Sequence, residues 1–181
     1  MFMSTSEYWT TYDSPVGLLT LCSNGLGLTA LLFEKEITAK QRDHLCRKDD
    51  LKIFADTKDW LDRYFNGRKP DIEELELSPS GSDFAMSVWE MLRKIPYGKV
   101  VTYGYIAEEM AKLRGKKRMS AQAVGGAVGR NPISIILPCH RVIGAGGNLT
   151  GFGGGIDIKI KLLEHENVDM SGMYKPKKGR L

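Results

Sequence analysis

The stretch "VVTYGYIAEEMAKL", residues 100–113, and the stretch "AQAVGGAVGRNP", residues 121–132, decide the fold of the C-terminal half. Thr102 is a good helix N-cap, and Ile106 and Met110 fall one turn apart on one face, so a short amphipathic helix is expected there. The connection "RGKKRMS", residues 114–120, is basic. The second segment is rich in alanine and glycine, and it must stop before Pro132, because the residue preceding a proline is pushed out of helical geometry. Two short helices around a tight connection, the second with side chains small enough for close approach, read as a helix-turn-helix. The same small residues would also suit close packing of one helix on another, so motifs elsewhere must decide between the two.

Working outward, "SDFAMSVWEMLRKIPYG", residues 82–98, sets Phe84, Val88, Leu92 and Ile95 on one stripe before Pro96 and Gly98 stop it. Before it, "RKPDIEELELSPSGS" mixes prolines, acids and small polar residues, which places a domain boundary near residue 80. The N-terminal part reads as strands, "YWTTYDS", "LLTLCS" and "LGLTALLF", with Pro15 and Gly17 supplying a turn. Two helices follow, a polar one around "ITAKQRDHLCRK" and one at "TKDWLDRYFNG" whose Trp60, Leu61, Tyr64 and Phe65 share a face. The expected class is α/β: a small N-terminal α/β domain over 1–79 and a mostly helical C-terminal domain over 80–172. A basic tail, 173–181, containing "YKPKKGR", is expected to be solvated and disordered.

Charge is divided between the halves. Residues 1–80 hold 10 Lys and Arg against 14 Asp and Glu, and residues 81–181 hold 16 against 8. The resulting −4 and +8 are the asymmetry expected if only the C-terminal half meets a polyanion. No apolar run approaches the roughly 20 residues that span a bilayer, and the N-terminus has no basic and apolar secretory pattern. A cytoplasmic protein, or a nuclear one in a eukaryote, is expected. Cys22, Cys46 and Cys139 are odd in number and widely spaced, which speaks for reduced thiols. His44 and Cys46 alone make no metal cluster, so no metal is expected.

"ISIILPCHRVIG", residues 133–144, is a β-branched apolar run that reads as a strand broken by Pro138, delivering Cys139 to the strand end. A thiol of ordinary pKa, about 8.5, is only a few per cent ionised at pH 7, so a nucleophile there needs help such as His140. Neighbours in an extended segment point apart, so His140 reaches Cys139 only through a bend or a bridging water. In "IDIKIKLLEHEN", Ile158, Leu162 and Glu166 recur every four residues, which puts Glu166 either on the buried helix face, where a carboxylate needs a partner such as His140, or at a frayed helix end in water. Between them, "GAGGNLTGFGGG" has seven glycines in twelve residues and reads as backbone wrapped around a ligand or as a flexible loop. No Gly-Lys-Ser/Thr follows it, so it is not a phosphate loop.

"NPISIILPCHRVIG", the glycine-rich loop and "LLEHE" together resemble the O6-alkylguanine-DNA alkyltransferases, also called methylated-DNA–protein-cysteine methyltransferases. The resemblance is strong over residues 84–166, and the Pro-Cys-His-Arg-Val core is specific to it; the N-terminal half fits the family's small α/β domain more loosely. It implies a ribonuclease H-like N-terminal domain, a winged helix-turn-helix-like C-terminal domain, and a single-turnover repair reaction. Guanine carrying an O6-alkyl group is flipped from duplex DNA through the minor groove, and its alkyl carbon passes to Cys139. His140 would accept the thiol proton through a water, Glu166 would hold His140, and Tyr103 would assist the departing guanine. Asn131 would tie the recognition helix to the active segment. DNA would be met by Ala121, Gln122, Ala123, Gly125, Arg118 and Arg130, and the base by Val128, Val142, Phe152, Gly153 and Gly154. The resemblance further implies minor activity on O4-alkylthymine, no cofactor, no membrane, and a monomer without an obligate protein partner.

Three positions depart from the family pattern: Gln122 stands where many members carry an arginine, Phe152 where tyrosine is common, and Gly153 where serine can occur. Two other classes compete. A sensor that binds alkylated bases without repair should lack the cysteine, and a cysteine hydrolase would need an oxyanion hole and would leave the basic helix-turn-helix unexplained.

Overall fold

The computed structural model describes residues 7–176 and divides the chain into two compact units, Met1–Ser80 with Pro132–Ile136, and Gly81–Asn131 with Leu137–Leu181. In the first unit, β1 (Tyr8–Ser14), β2 (Gly17–Ser23) and β3 (Leu28–Phe33) form an antiparallel meander, closed at Ser14–Gly17 by the expected turn. β4 (Cys46–Arg47) adds in parallel to β1, giving the sheet order β3-β2-β1-β4. Leu19, Leu21, Leu31 and Phe33 of the sheet are buried, as are Phe54, Trp60, Leu61 and Tyr64 of α2 (Lys52–Phe65). Phe65 is only half-buried, at the last residue of that helix.

The polar helix expected over 37–48 shrinks to α1 (Ala39–Arg42), one turn capped by Thr38. The chain then leaves helical geometry because Cys46 and Lys48 find sheet partners, their N–H groups donating to Glu7 O at 2.9 Å and Trp9 O at 3.0 Å. A helix with no apolar stripe has nothing to bury and yields to that pairing.

The segment Pro132–Ile136, placed with the C-terminal domain on the sequence pattern, belongs to the first unit. Leu31 N–H donates to Pro132 O at 2.8 Å and Ser134 N–H donates to Leu31 O at 3.0 Å, so the segment takes up bonding capacity on β3, the edge strand.

The second unit is helical. α3 (Asp83–Arg93) buries Ala85, Val88, Trp89 and Leu92; the stripe is the expected one, shifted so that Phe84 is half-buried. α4 (Tyr103–Leu113) is capped by Thr102 and buries Ile106 and Met110, and α5 (Ala121–Gly129) is capped by Ser120. Trp89 Nε1–H donates to Ala127 O at 2.9 Å, tying α3 to α5. β5 (Val101–Thr102) and β6 (Val142–Ile143) pair in parallel, and α6 (Ile156–His165) closes the unit. Ile143, Leu149 and Leu163 form a small apolar core under that helix.

The tail is ordered further than expected. Tyr174 N–H donates to Gly147 O at 3.0 Å, its carbonyl accepts from Leu149 at 2.9 Å, and Lys175 reaches Asp157 at 2.5 Å. Residues 177–181 lie outside the described residues. No described helix is long and apolar enough to cross a membrane.

Candidate active site

Cys139 does not end a strand. Ser134–Ile136 form a turn, and Ile135 has φ +69°, a left-handed conformation that a β-branched residue adopts only under constraint. Such a residue stores about 1–3 kcal/mol of strain. The run of β-branched residues reads as a strand, but burial of Ile133, Ile135, Ile136 and Leu137 is achieved instead by a turn. Pro138 then opens one turn of 3-10 helix, Cys139–Arg141, in which Cys139 is 6% exposed and His140 fully buried. Asn131 Nδ2–H donates to Leu137 O at 2.8 Å, fixing the chain just before this turn to the end of α5.

Glu166, which caps α6, is 2% exposed and gathers four donors. His140 Nε2 lies 2.7 Å from its Oε1; Arg141 donates through Nε to Oε2 at 2.8 Å and through Nη2 to Oε1 at 2.9 Å; and Gly98 N–H donates to Oε2 at 2.9 Å. Arg141 also donates to Ile95 O at 2.6 Å. Burial pushes the Glu166 carboxyl up, but His140 and Arg141 more than offset this and hold it well below the usual carboxylate range. An ionised carboxylate only accepts, so His140 Nε2 carries the proton and donates it. His140 is therefore the tautomer whose Nδ1 is a free base, and Nδ1 is buried without a hydrogen-bond partner among the described protein groups.

Gly98 has φ +73°, and a Cβ there would stand 2.9 Å from Glu166 O, so only glycine presents its N–H to the carboxylate in this way. Glu166 lies on the buried face, but that face runs through Lys159, Leu162 and Leu163, with Ile158 half-buried.

Burial lowers the pKa of His140, against the pull of Glu166. A histidine depressed in the folded state contributes stability that is present above its unfolded pKa of about 6.5 and lost as pH falls below it. Urea melts from pH 7.5 to 5.5 are therefore expected to show a falling midpoint, and His140→Asn to lose that limb. A second loss, from Glu166, begins below about pH 4.3, the unfolded value for glutamate.

Tyr103, the first residue of α4, donates to Thr150 O at 3.2 Å and Gly151 O at 3.3 Å. Burial, with the nearby Cys139, pushes its pKa up to about 12, so the phenol keeps its proton. Tyr103 shares a cleft of about 490 Å³ with Ala121, Gln122, Gly125, Gly144, Ala145, Thr150 and Gly151. Gln122 and Ala123 are exposed on α5, as are Arg118 and Arg130 beside it.

The five base-pocket expectations fare differently. Val142 is buried in β6, beside the 3-10 turn. Val128 is not on the cleft: with Val124 and Ala127 it forms the inward face of α5, where an apolar side chain on a short helix is driven. Phe152 is half-buried, Gly153 exposed and Gly154 buried, and none of them lines the cleft. Two residues escaped the sequence reading, Arg141 and Lys159, both charged and both buried; the one available signal for Arg141 was its place in the Pro-Cys-His-Arg-Val core.

Two family models match this chain: the ribonuclease-like domain of 6-O-methylguanine DNA methyltransferase over residues 7–79, and the DNA binding domain of the same proteins over residues 83–168. The methylated-DNA–protein-cysteine methyltransferase of Haemophilus influenzae is 43% identical, covering 91% of this chain and 88% of its own length. The chain belongs to the methylated-DNA–protein-cysteine methyltransferase family. Its enzyme class and its fold, an N-terminal sheet unit and a helical C-terminal unit, are those of the methyltransferases. The crystal structure of the Mycobacterium tuberculosis O6-methylguanine methyltransferase superposes with a TM-score of 0.77 at 42% identity, over 93% of this chain and 95% of that one. The M. tuberculosis OGT in complex with DNA matches with the same score and identity, over 92% and 94%.

Proposed function

We propose that this methyltransferase repairs O6-alkylguanine in duplex DNA by moving the alkyl carbon irreversibly to Cys139 after the base is flipped out through the minor groove. The observation that carries this reading is the free Nδ1 of a neutral His140, anchored through Nε2 on Glu166 and adjacent in sequence to Cys139. A water between Cys139 Sγ and His140 Nδ1 takes the thiol proton to the imidazole. The sulfur lone pair forms the S–C bond as the O6–C bond breaks, and that electron pair passes into the guanine ring. The guanine takes a proton from Tyr103, which is replenished from solvent as the His140 imidazolium gives the thiol proton up to it. The net change is thiol plus O6-alkylguanine to thioether plus guanine.

Tyr103 must release the Thr150 and Gly151 carbonyls to serve the base, and Gly151, with φ +68°, gives that loop a conformation most residues avoid. The thioether has neither a carbonyl for water to attack nor a good leaving group, so one protein repairs one lesion. O4-alkylthymine, with the alkyl group on a comparable exocyclic oxygen, is a minor substrate. The chain acts as a monomer, without cofactor or obligate protein partner. Titrating a fixed amount of O6-methylguanine duplex with protein tests the stoichiometry: repair should stop at one lesion per protein. Continued turnover is the result expected of a hydrolase.

Flipping a base costs a few kcal/mol. The small exposed residues of α5 admit the helix to a narrow groove, Arg118 and Arg130 meet phosphates, and Gln122 fills the vacated stack without a charge. Each 1.4 kcal/mol of that help is worth about tenfold in rate. Gln122→Ala is therefore expected to slow transfer from duplex DNA about 10- to 100-fold. Reaction with the free modified base, which needs no flipping, should be unchanged in a parallel assay.

A further inference from the structure

Lys159, in the first turn of α6, is 0% exposed. Its Nζ donates to Val142 O at 2.5 Å and to Thr150 O at 3.2 Å, and no carboxylate among the described residues lies within ion-pair distance of it. Two carbonyls take two of the three ammonium hydrogens and leave its charge uncompensated, and a buried uncompensated charge is strongly unfavourable. An apolar side chain of similar length would fill the space without that penalty. Val142, whose carbonyl takes the shorter of these bonds, directly follows the 3-10 turn Cys139–Arg141, so the ammonium stands beside the turn that carries Cys139 and His140, the titratable groups that feel its charge; Tyr103, from α4, lies near Cys139 in turn. Of these, His140 can only add positive charge and Tyr103 holds its proton, which leaves the Cys139 thiol as the group able to supply the missing anion.

We propose that Lys159 is the counter-cation of the Cys139 thiolate, a positioning residue that enlarges the ionised fraction of the nucleophile while tying β6 to the glycine-rich loop. The proposal rests on the reading of Cys139 as the alkyl acceptor. The thiol proton still leaves through His140, and Lys159 keeps its own protons throughout. Burial holds Lys159 down to about 8, so the charge is present at neutral pH and lost above it.

The test is alkylation of Cys139 by iodoacetamide, resolved by peptide mass from pH 5 to 9, in the wild type, Lys159→Gln and Lys159→Arg, with the Cys22 and Cys46 peptides as internal references. Gln keeps a donor for the carbonyls but not the charge; Arg keeps the charge. One unit of thiol pKa is about tenfold in thiolate. Lys159→Gln should slow Cys139 alkylation about tenfold at pH 7 and shift its midpoint upward, leaving the reference peptides unchanged, and Lys159→Arg should stay within about threefold of wild type. A Gln profile that superposes on the wild type, or an Arg variant as slow as Gln, overturns the proposal.

If Lys159→Gln does not fold, the wild type supplies the readout. Capping Cys139 as its methyl disulfide should lower the pKa of Lys159 followed by NMR, because coupling between two titrating groups is reciprocal; an unchanged Lys159 titration overturns the proposal. Both experiments read reactivity toward small reagents. Failure of transfer from DNA would therefore leave them interpretable, and their failure would leave the identity of the alkyl acceptor untouched.

Discussion

Cys139→Ala is expected to abolish alkyl transfer, by more than about 10⁴-fold, while binding to O6-methylguanine duplex stays within about threefold of wild type. Removing the sulfur removes the acceptor atom, and no neighbouring group matches a thiolate as a nucleophile: His140 is a fully buried neutral imidazole anchored through Nε2 on Glu166, and Tyr103 is a neutral phenol bonded to carbonyls. The groups assigned to DNA, Gln122, Arg118 and Arg130, sit on exposed backbone around α5 rather than on the 139–141 turn. The cavity left by one sulfur atom costs on the order of 1 kcal/mol, too little to unfold the unit. Single-turnover transfer and DNA titration on the same preparation check both halves. Joint loss of transfer and binding would make Cys139 a structural thiol.

Glu166→Ala should be nearly as severe, for a different reason. The carboxylate is shared by His140, Arg141 and Gly98, and its removal leaves a buried guanidinium without its counter-charge. Breaking a buried pair in this way costs about 3–5 kcal/mol. At roughly 2–4 °C per kcal/mol for a chain of this size, the melting temperature should fall by about 10 °C. Transfer should slow by about 10²–10³-fold, the scale of a misdirected general base, because His140 loses both its tautomer and its orientation. The double variant Glu166→Ala with Arg141→Met should be more stable than the sum of the two single losses predicts, since the orphaned cation is gone. Additive losses would mean that the cluster is not a unit.

The helix-turn-helix and the N-terminal meander were readable because burial there follows simple periods. Ile106 and Met110 recur at the helical spacing, and β1 pairs with β2 through a short turn at Pro15 and Val16. For Glu166 the apolar stripe left two readings open, a buried carboxylate with a partner and a frayed end in water, and the structure shows the first. The failures share a cause: periodicity reports burial, not backbone conformation or charge compensation. Ile133 to Leu137 are buried, yet the backbone turns at Ile135 because Leu31 bonds Pro132 and Ser134 on one side and Asn131 bonds Leu137 on the other. Arg141 and Lys159 gave no burial signal in the sequence, since their partners are a distant carboxylate and backbone carbonyls that leave no mark in the local pattern. Val128 was assigned to the base only through the family resemblance, while the packing of α5 turns it inward.

The most direct measurement is the intact and peptide mass of the protein after mixing with excess duplex DNA containing O6-methylguanine. A gain of one methylene, confined to the Cys139 peptide and saturating at one per protein, is the expected result. A protein that binds this DNA yet gains no mass, or gains it on a peptide other than that of Cys139, would contradict irreversible transfer to Cys139.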